Sequence, residues 1–425
     1  MEHRPVPVPD FFTKQKIVQH KQKTHNNSFL CRVKVLILHQ HFNTPAAGGA
    51  LRSYYLAKAL TERNIGVVVI TGYNGDNYKV ENIEGIEIHY LPVTYHNRFG
   101  FWKRCKSFLR YNFGAVRLAG KIQGIKLCYA ISVPLTIGLA AFWIKRKYGI
   151  KYFFEVGDLW PEAPIQMGFV KNYFFKKSLY SLEKFIYDHA DAVVGLSPMI
   201  KAAVEKKVPR KPVHLIPNMA DTDFYKPVDK DVTLLKKFNV VDKFVVSYIG
   251  AIGLANGLDF YLECARACQK TKLPIHFQLC GDGALLEYFR GIVKQYQLKN
   301  FSILPFQNRE GVKEVMNVTD ATFICYKPVP VLETGSPNKY FDGLAAGKLI
   351  LINFAGWVKE EIEKERCGVY INPKSPDEFV RKIEPLVSNV YLLKQYQQAS
   401  RLLAESKYSR KLLSEKFAGI VEAAL

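Results

Sequence analysis

Short, almost unbroken apolar runs recur along the chain at 33–38, 67–71, 127–131, 152–156, 244–249, 277–280, 321–326 and 349–354. Each has the length of a single strand. Their β-branched and aromatic content, with little polar alternation, predicts strands buried on both faces. Helix-length stretches of mixed polarity separate many of them, as at 50–63 and 135–147. Alternation of this kind builds parallel sheets covered by helices, an α/β fold. From residue 377 the pattern is helical to the end, closing on a segment at about 409–424. A chain of 425 residues is too long for one core and suits two domains.

The most informative stretch is 333–347, which lies between two buried runs and so forms the crossover of a βαβ unit. Ser336 and Pro337 predict a helix start, with Ser as cap and Pro in the first helical position, and Gly347 predicts its stop. The loop before this helix sits at the C-terminal end of a strand, where open α/β sheets bind ligands. Free N–H groups at the helix start attract anions. Lys339 stands in the first turn, where a cation opposes the helix dipole. A bound phosphate would reverse that cost, since one such charge pair near a surface is worth about 4 kcal/mol at about 4 Å before desolvation. Asp342, one turn on, is placed to accept from a sugar hydroxyl. An ordinary helix with a solvated Lys and Asp fits the same residues.

Ser-Pro-Asn-Lys-Tyr-Phe-Asp-Gly-Leu-Ala-Ala-Gly-Lys at 336–348 resembles the donor-binding helix of bacterial family 4 glycosyltransferases. The subgroup it is most similar to acts in surface polysaccharide biosynthesis. The resemblance runs from about residue 34 to the C-terminus. It implies a GT-B architecture: two Rossmann-like domains facing a cleft, with the last helix crossing back to the first domain. The implied layout is a tail at 1–31, an acceptor-side domain at 32–225, a nucleotide-sugar domain at 226–405 and a return helix at 406–425. Donor contacts would come from Ser336, Pro337, Asn338 and Asp342, with Lys339 as the catalytic cation.

Other motifs take their meaning partly from that resemblance. Gly48 and Gly49 end the loop after the first strand, and the family's matching pair reaches the donor phosphates; Arg52 follows close by on the acceptor side. A plain strand–helix turn is the other reading. Gly157-Asp-Leu-Trp-Pro-Glu162 follows a buried strand, and the resemblance makes Asp158 a candidate base and Glu162 an acceptor contact. Asp158 as a helix cap fits equally well on local grounds. Gly250, Gly253 and Gly257 predict a loop folded round a diphosphate, with Asn256 beside it. No basic residue lies between 244 and 261, so the charge neutralisation that many relatives place there falls to Lys339. Gly281-Asp282-Gly283 would border the nucleotide base, though alone it reads as a turn. The family's two acids stand eight positions apart; eight before Asp342 is Thr334, so Glu333, one residue displaced, is the matching candidate for the catalytic acid and donor-sugar contact. Gly356 and Trp357 offer a close backbone and an aromatic wall. Asp221-Thr-Asp223 imitates a metal-binding pair, but its place after Ile-Pro-Asn reads as the interdomain connector, and no metal or other cofactor is expected. Two histidines, His39 and His41, lack a third ligand.

Charge adds a partner. Sixty Lys and Arg against 38 Asp and Glu leave a net +22. Twelve of the basic residues fall between 88 and 154, a segment without a single Asp or Glu. Within it Trp102, Cys105, Leu109 and Val116 recur at helical spacing, widened by Phe101, Phe108 and Phe113. Lys103, Lys106, Arg110 and Arg117 take another face. Such a helix suits an anionic membrane surface. A helix packed on its own domain with a solvated basic face has the same pattern. Nucleic acid is the weaker fit, because no nucleic-acid motif accompanies the charge. The uncharged run at 127–144 approaches spanning length but divides into a strand and a helix start. Eight cysteines without a Cys-x-x-Cys pair read as reduced core residues of a cytosolic protein.

Together these features predict a retaining glycosyltransferase, cytoplasmic and peripheral on the inner face of the membrane. It would move a sugar from a UDP-type donor to a polyprenyl-linked or saccharide acceptor. A nucleotide-sugar epimerase on the same scaffold, or a non-catalytic adaptor for polyanions or membranes, are the alternatives.

Overall fold

A computed structural model describes residues 33–46, 49, 51–96 and 99–425. The first sheet contains β1 (Lys34–Leu38), β2 (Gly66–Tyr73), β3 (Lys79–Ile83), β4 (Ile86–Pro92), β5 (Ile125–Ile131), β6 (Lys151–Val156), β7 (Ala192–Gly195) and β8 (Val213–Leu215). Its order is β3-β4-β2-β1-β5-β6-β7-β8, parallel except for the β3–β4 hairpin. The second sheet holds β9 (Phe244–Ile249), β10 (Ile275–Cys280), β11 (Phe301–Leu304), β12 (Ala321–Ile324), β13 (Leu349–Ile352) and β14 (Gly368–Tyr370). It runs β11-β10-β9-β12-β13-β14, with every pairing parallel. The eight predicted strands are all present. Those not anticipated are short or carry charges, as β3 does with Lys79 and Glu81.

Topology places the site. Consecutive strands leave β9 in opposite directions, β10 on one side and β12 on the other. The crevice outside their C-terminal ends is the topological switch point where α/β sheets take ligands. The loop at 250–257 and the crossover at 325–337 both start there.

The predicted membrane-length run resolves into β5 and the helix Ile137–Tyr148, which stops at Gly149 in the left-handed region (φ 70°). No helix among the described residues is long and apolar enough to cross a membrane. The helix Arg410–Glu422 crosses back and packs on the helix Arg52–Glu62, with Phe417 edge-on to Tyr129 at 4.8 Å. At the crossing, Ala220 donates to the Tyr408 carbonyl (2.8 Å) and Arg410 donates back to Ala220 (3.0 Å). The expected tail at 1–31 lies outside the described residues.

Candidate active site in the interdomain cleft

The helix after β12 spans Asn338–Ala345, not from Pro337. Pro337 is extended (φ −73°, ψ 125°) and occupies the cap position. Ser336 does not cap either. Its hydroxyl accepts from the Asn218 N–H (3.3 Å), and its carbonyl accepts from the Asn218 side chain (2.6 Å). Both groups are used to dock this crossover on the first domain. Further docking bonds run from Val331 N–H to the Gln166 side chain (2.9 Å) and from the Ser197 hydroxyl to the Thr334 carbonyl. From behind, Trp357 donates to the Gly335 carbonyl (2.8 Å), and Glu361 receives the hydroxyls of Tyr340 and Tyr408. The helix start is therefore held from two sides and aimed into the cleft. Gly347 adopts φ 60° just past the end, where only a residue without Cβ sits at no cost.

Lys339 occupies the first turn, as predicted. Its ammonium lies 4.9 Å from the centre of the Tyr248 ring and, among the described residues, enters no ion pair. Burial lowers its pKa, while Cys325 and Asp342 oppose that shift. A desolvated cation without a carboxylate partner is poised for an anion. Asp342 lines the same small cavity, together with Ser247, Thr322 and Met316. Burial, then the charge of Asp221, raises its pKa to about 7, against Arg309 and Lys339.

That elevation has a sign. The folded state holds a proton on Asp342 that the unfolded chain has already lost, so stability falls as pH rises from about 4 to about 7 and then levels off. Asp342→Asn should therefore melt a few degrees above the wild type at pH 8, with the gain vanishing towards pH 4. Equal melting temperatures at pH 8 would show that the carboxyl carries no such strain.

Part of the glycine loop is engaged within its own domain. The Gly250 N–H donates to the Cys280 carbonyl (2.9 Å) and the Gly253 N–H to the Asn256 side chain (3.2 Å), so these amides and Asn256 Oδ1 are engaged within the fold. Gly250 provides space instead: a Cβ there would stand 2.6 Å from Lys339 Cε. Gly281 is needed by its neighbour, since a Cβ would meet the Gly250 carbonyl at 1.9 Å. Gly283 backs onto the Ile252 carbonyl in the same way and donates to Asp282 within its own turn (2.7 Å).

Two acceptor-side candidates are engaged within the first domain. Arg52 forms hydrogen bonds with both Glu155 oxygens and donates to the carbonyls of Ile216 and Pro217, so its charge is consumed inside the first domain. Glu162 accepts from Gln166 (2.6 Å) and Tyr180, bracing a short helix. Asp158 remains open in the cleft at the mouth of β6, and desolvation by the surrounding walls raises its pKa. Glu333 sits in the turn Pro330–Thr334, and a Cβ on Gly356 would stand 2.7 Å from its carbonyl. Gly49 is left-handed (φ 81°); Gly48 lies outside the described residues. His39 hydrogen-bonds Ser53 (2.9 Å) and is held neutral, its pKa lowered to about 3 by burial and then by His41.

Two residues at the cleft, Tyr326 and Arg309, escaped the sequence reading. Tyr326, at the end of β12, has its pKa raised by burial and by the charge of Asp158 opposite. Arg309 reaches from the second domain to Asp221 and to the Tyr55 hydroxyl (3.1 Å). Asp221 also takes Arg410 (2.8 Å), which makes it a junction between connector, second domain and return helix. Arg309 is the first residue of its helix. It shows the same misplaced first-turn cation that drew attention to Lys339.

Two parallel-sheet domains closed by a returning helix, with a cationic helix start in the cleft, define the GT-B class of glycosyltransferases. Residues 47–219 match the glycosyl transferase 4-like domain family and residues 232–402 match glycosyl transferases group 1. The chain belongs to the family 4 glycosyltransferases. It is 20% identical over 244 residues to the alpha-D-kanosaminyltransferase of Streptomyces kanamyceticus, a match covering 54% of this chain and 60% of that one. Its fold is similar to sucrose-phosphate synthase from Thermosynechococcus elongatus (14% identity, TM-score 0.75, 92% of this chain and 99% of that one). HepE from Anabaena, solved with UDP and glucose, is likewise similar (15% identity, TM-score 0.67, 92% and 100%).

Proposed function

We propose that the protein is a retaining glycosyltransferase that moves a sugar from a nucleoside diphosphate donor to a polyprenyl-linked or saccharide acceptor for surface polysaccharide. The observation that carries this reading is Lys339, a desolvated cation at a helix start aimed into the cleft that, among the described residues, enters no ion pair. As the glycosidic bond to the donor breaks, negative charge grows on the leaving diphosphate. Lys339 and the N–H groups at the start of its helix are preorganised to receive that charge without metal. Among the described residues, no group of three or more His, Cys, Asp or Glu is placed to hold a metal ion. Asp158 and Tyr326 stand on opposite walls, where the acceptor hydroxyl would enter. UDP is the favoured nucleoside diphosphate of the donor, by likeness to HepE.

An anionic membrane at the cytoplasmic side is the proposed location. In the helix Phe101–Ala119, Tyr111, Ala115 and Ala119 face the core, while Trp102 (81%), Leu109 (64%) and Phe113 (74%) are exposed beside Lys106 and Arg110. Large apolar residues turned outward among cations favour a lipid surface over packing on the domain itself.

Thermal denaturation with UDP, GDP, ADP and their sugar conjugates tests the donor. Stabilisation by one nucleoside diphosphate is expected, and turnover of its sugar conjugate should require an acceptor. Turnover without acceptor would indicate epimerisation. No stabilisation by any of them at millimolar concentration would overturn the reading.

A further inference from the structure

We propose that a second aromatic tip, residues 168–177, inserts into an anionic bilayer and seats the acceptor side of the cleft on the lipid surface. The inference rests on the glycosyl-transfer reading above. Phe169, Tyr173 and Phe174 are 68%, 70% and 79% exposed, three large rings within six residues. Isolated exposed apolar residues need no explanation, but a contiguous group marks an interaction site. Lys171, Lys176 and Lys177 accompany them, and no Asp or Glu occurs from 163 to 182. The tip is ordered: Asn172 caps the helix Tyr173–His189 by accepting from the Phe175 N–H (2.9 Å). Tyr173 and Phe174 therefore stand in the first turn of a capped helix, and Phe169 is held just before it by its N–H bond to the Pro164 carbonyl (2.9 Å).

Topology sets where they point. β4 and β6 are parallel members of one sheet, and the helices Phe101–Ala119 and Tyr173–His189 begin after their C-terminal ends. Both aromatic groups thus share the end of the domain at which Asp158 leaves β6. The two helices flank Ile137–Tyr148 on one face of the sheet. Only the helix Glu162–Gln166 and a short turn separate Asp158 from Phe169, and Gln166 touches the donor-side crossover at Val331. A bilayer that accepts both groups lies along the rim of the cleft. A lipid-linked acceptor would then reach Asp158 with its hydrocarbon still in the membrane. Lysines without acidic neighbours select anionic headgroups over zwitterionic ones.

The test is co-sedimentation of the full-length protein with phosphatidylcholine vesicles, with and without phosphatidylglycerol. Wild type should partition onto the anionic vesicles. Phe169→Ser/Phe174→Ser should lower that partition about tenfold or more while keeping its melting temperature and its stabilisation by nucleoside diphosphate. Unchanged partition of the variant overturns the proposal. So does a wild-type dimer in lipid-free light scattering that the variant converts to monomer without loss of vesicle binding, since the tip would then be a contact between copies. Vesicle partition requires no donor and the thermal shift requires no vesicle. Failure of this inference and failure of the glycosyl-transfer reading are therefore told apart.

Discussion

Lys339→Ala is expected to lower turnover about a hundred- to a thousandfold, the usual loss when one preorganised electrostatic group is removed from a reacting charge. The fold should survive. Lys339 opposes its own helix dipole and is desolvated, so its removal relieves two unfavourable terms and the melting temperature should hold or rise. Stabilisation by nucleoside diphosphate should shrink in parallel, because the same ammonium would meet the ground-state phosphates. Steady-state kinetics with a thermal melt on the same preparation decide the matter. A well-folded Lys339→Ala protein with near-normal turnover removes the diphosphate from this helix.

Arg52→Met is expected to act on stability instead. Glu155 is buried, its side chain 1% exposed, and Arg52 is its cationic partner at 2.9 Å. Taking away one member of a buried pair strands the other charge and costs about 3–5 kcal/mol. The carbonyls of Ile216 and Pro217 lose their donors as well, directly before Asn218, the residue that holds Ser336 across the cleft. Urea unfolding should show the loss as a lower midpoint. Adding Glu155→Gln should return much of it, because the stranded charge disappears. A single variant within about 1 kcal/mol of wild type would mean that Arg52 is free to face a ligand after all.

Much of the fold was legible because parallel strands buried on both faces write themselves as unbroken apolar runs. The helix after β12 was legible too: Lys339 in its first turn breaks a local rule, and such breaches draw attention to a site. The pairing of Arg52 was not legible because its partner Glu155 lies 103 residues away and only the folded sheet brings them together. The internal bonds of Gly250 and Gly253 were hidden for a related reason. Glycines that open space for Lys339 or for a neighbouring backbone look the same in sequence as glycines that offer amides to a phosphate. For the helix Phe101–Ala119, periodicity found an apolar side but not its destination. The core took Tyr111 and two alanines, which permit close packing, and the larger rings were left outside.

The crossing at Ala220 and Ser409 has a mechanical consequence. The polypeptide passes between the domains twice, and the two passages are hydrogen-bonded side by side. A single tether would let the halves swing and twist in any direction. Two segments hydrogen-bonded side by side resist twisting about the connector, which leaves swinging as the easier motion. Each time the halves swing shut, the donor-side crossover should return to the same register against Asn218.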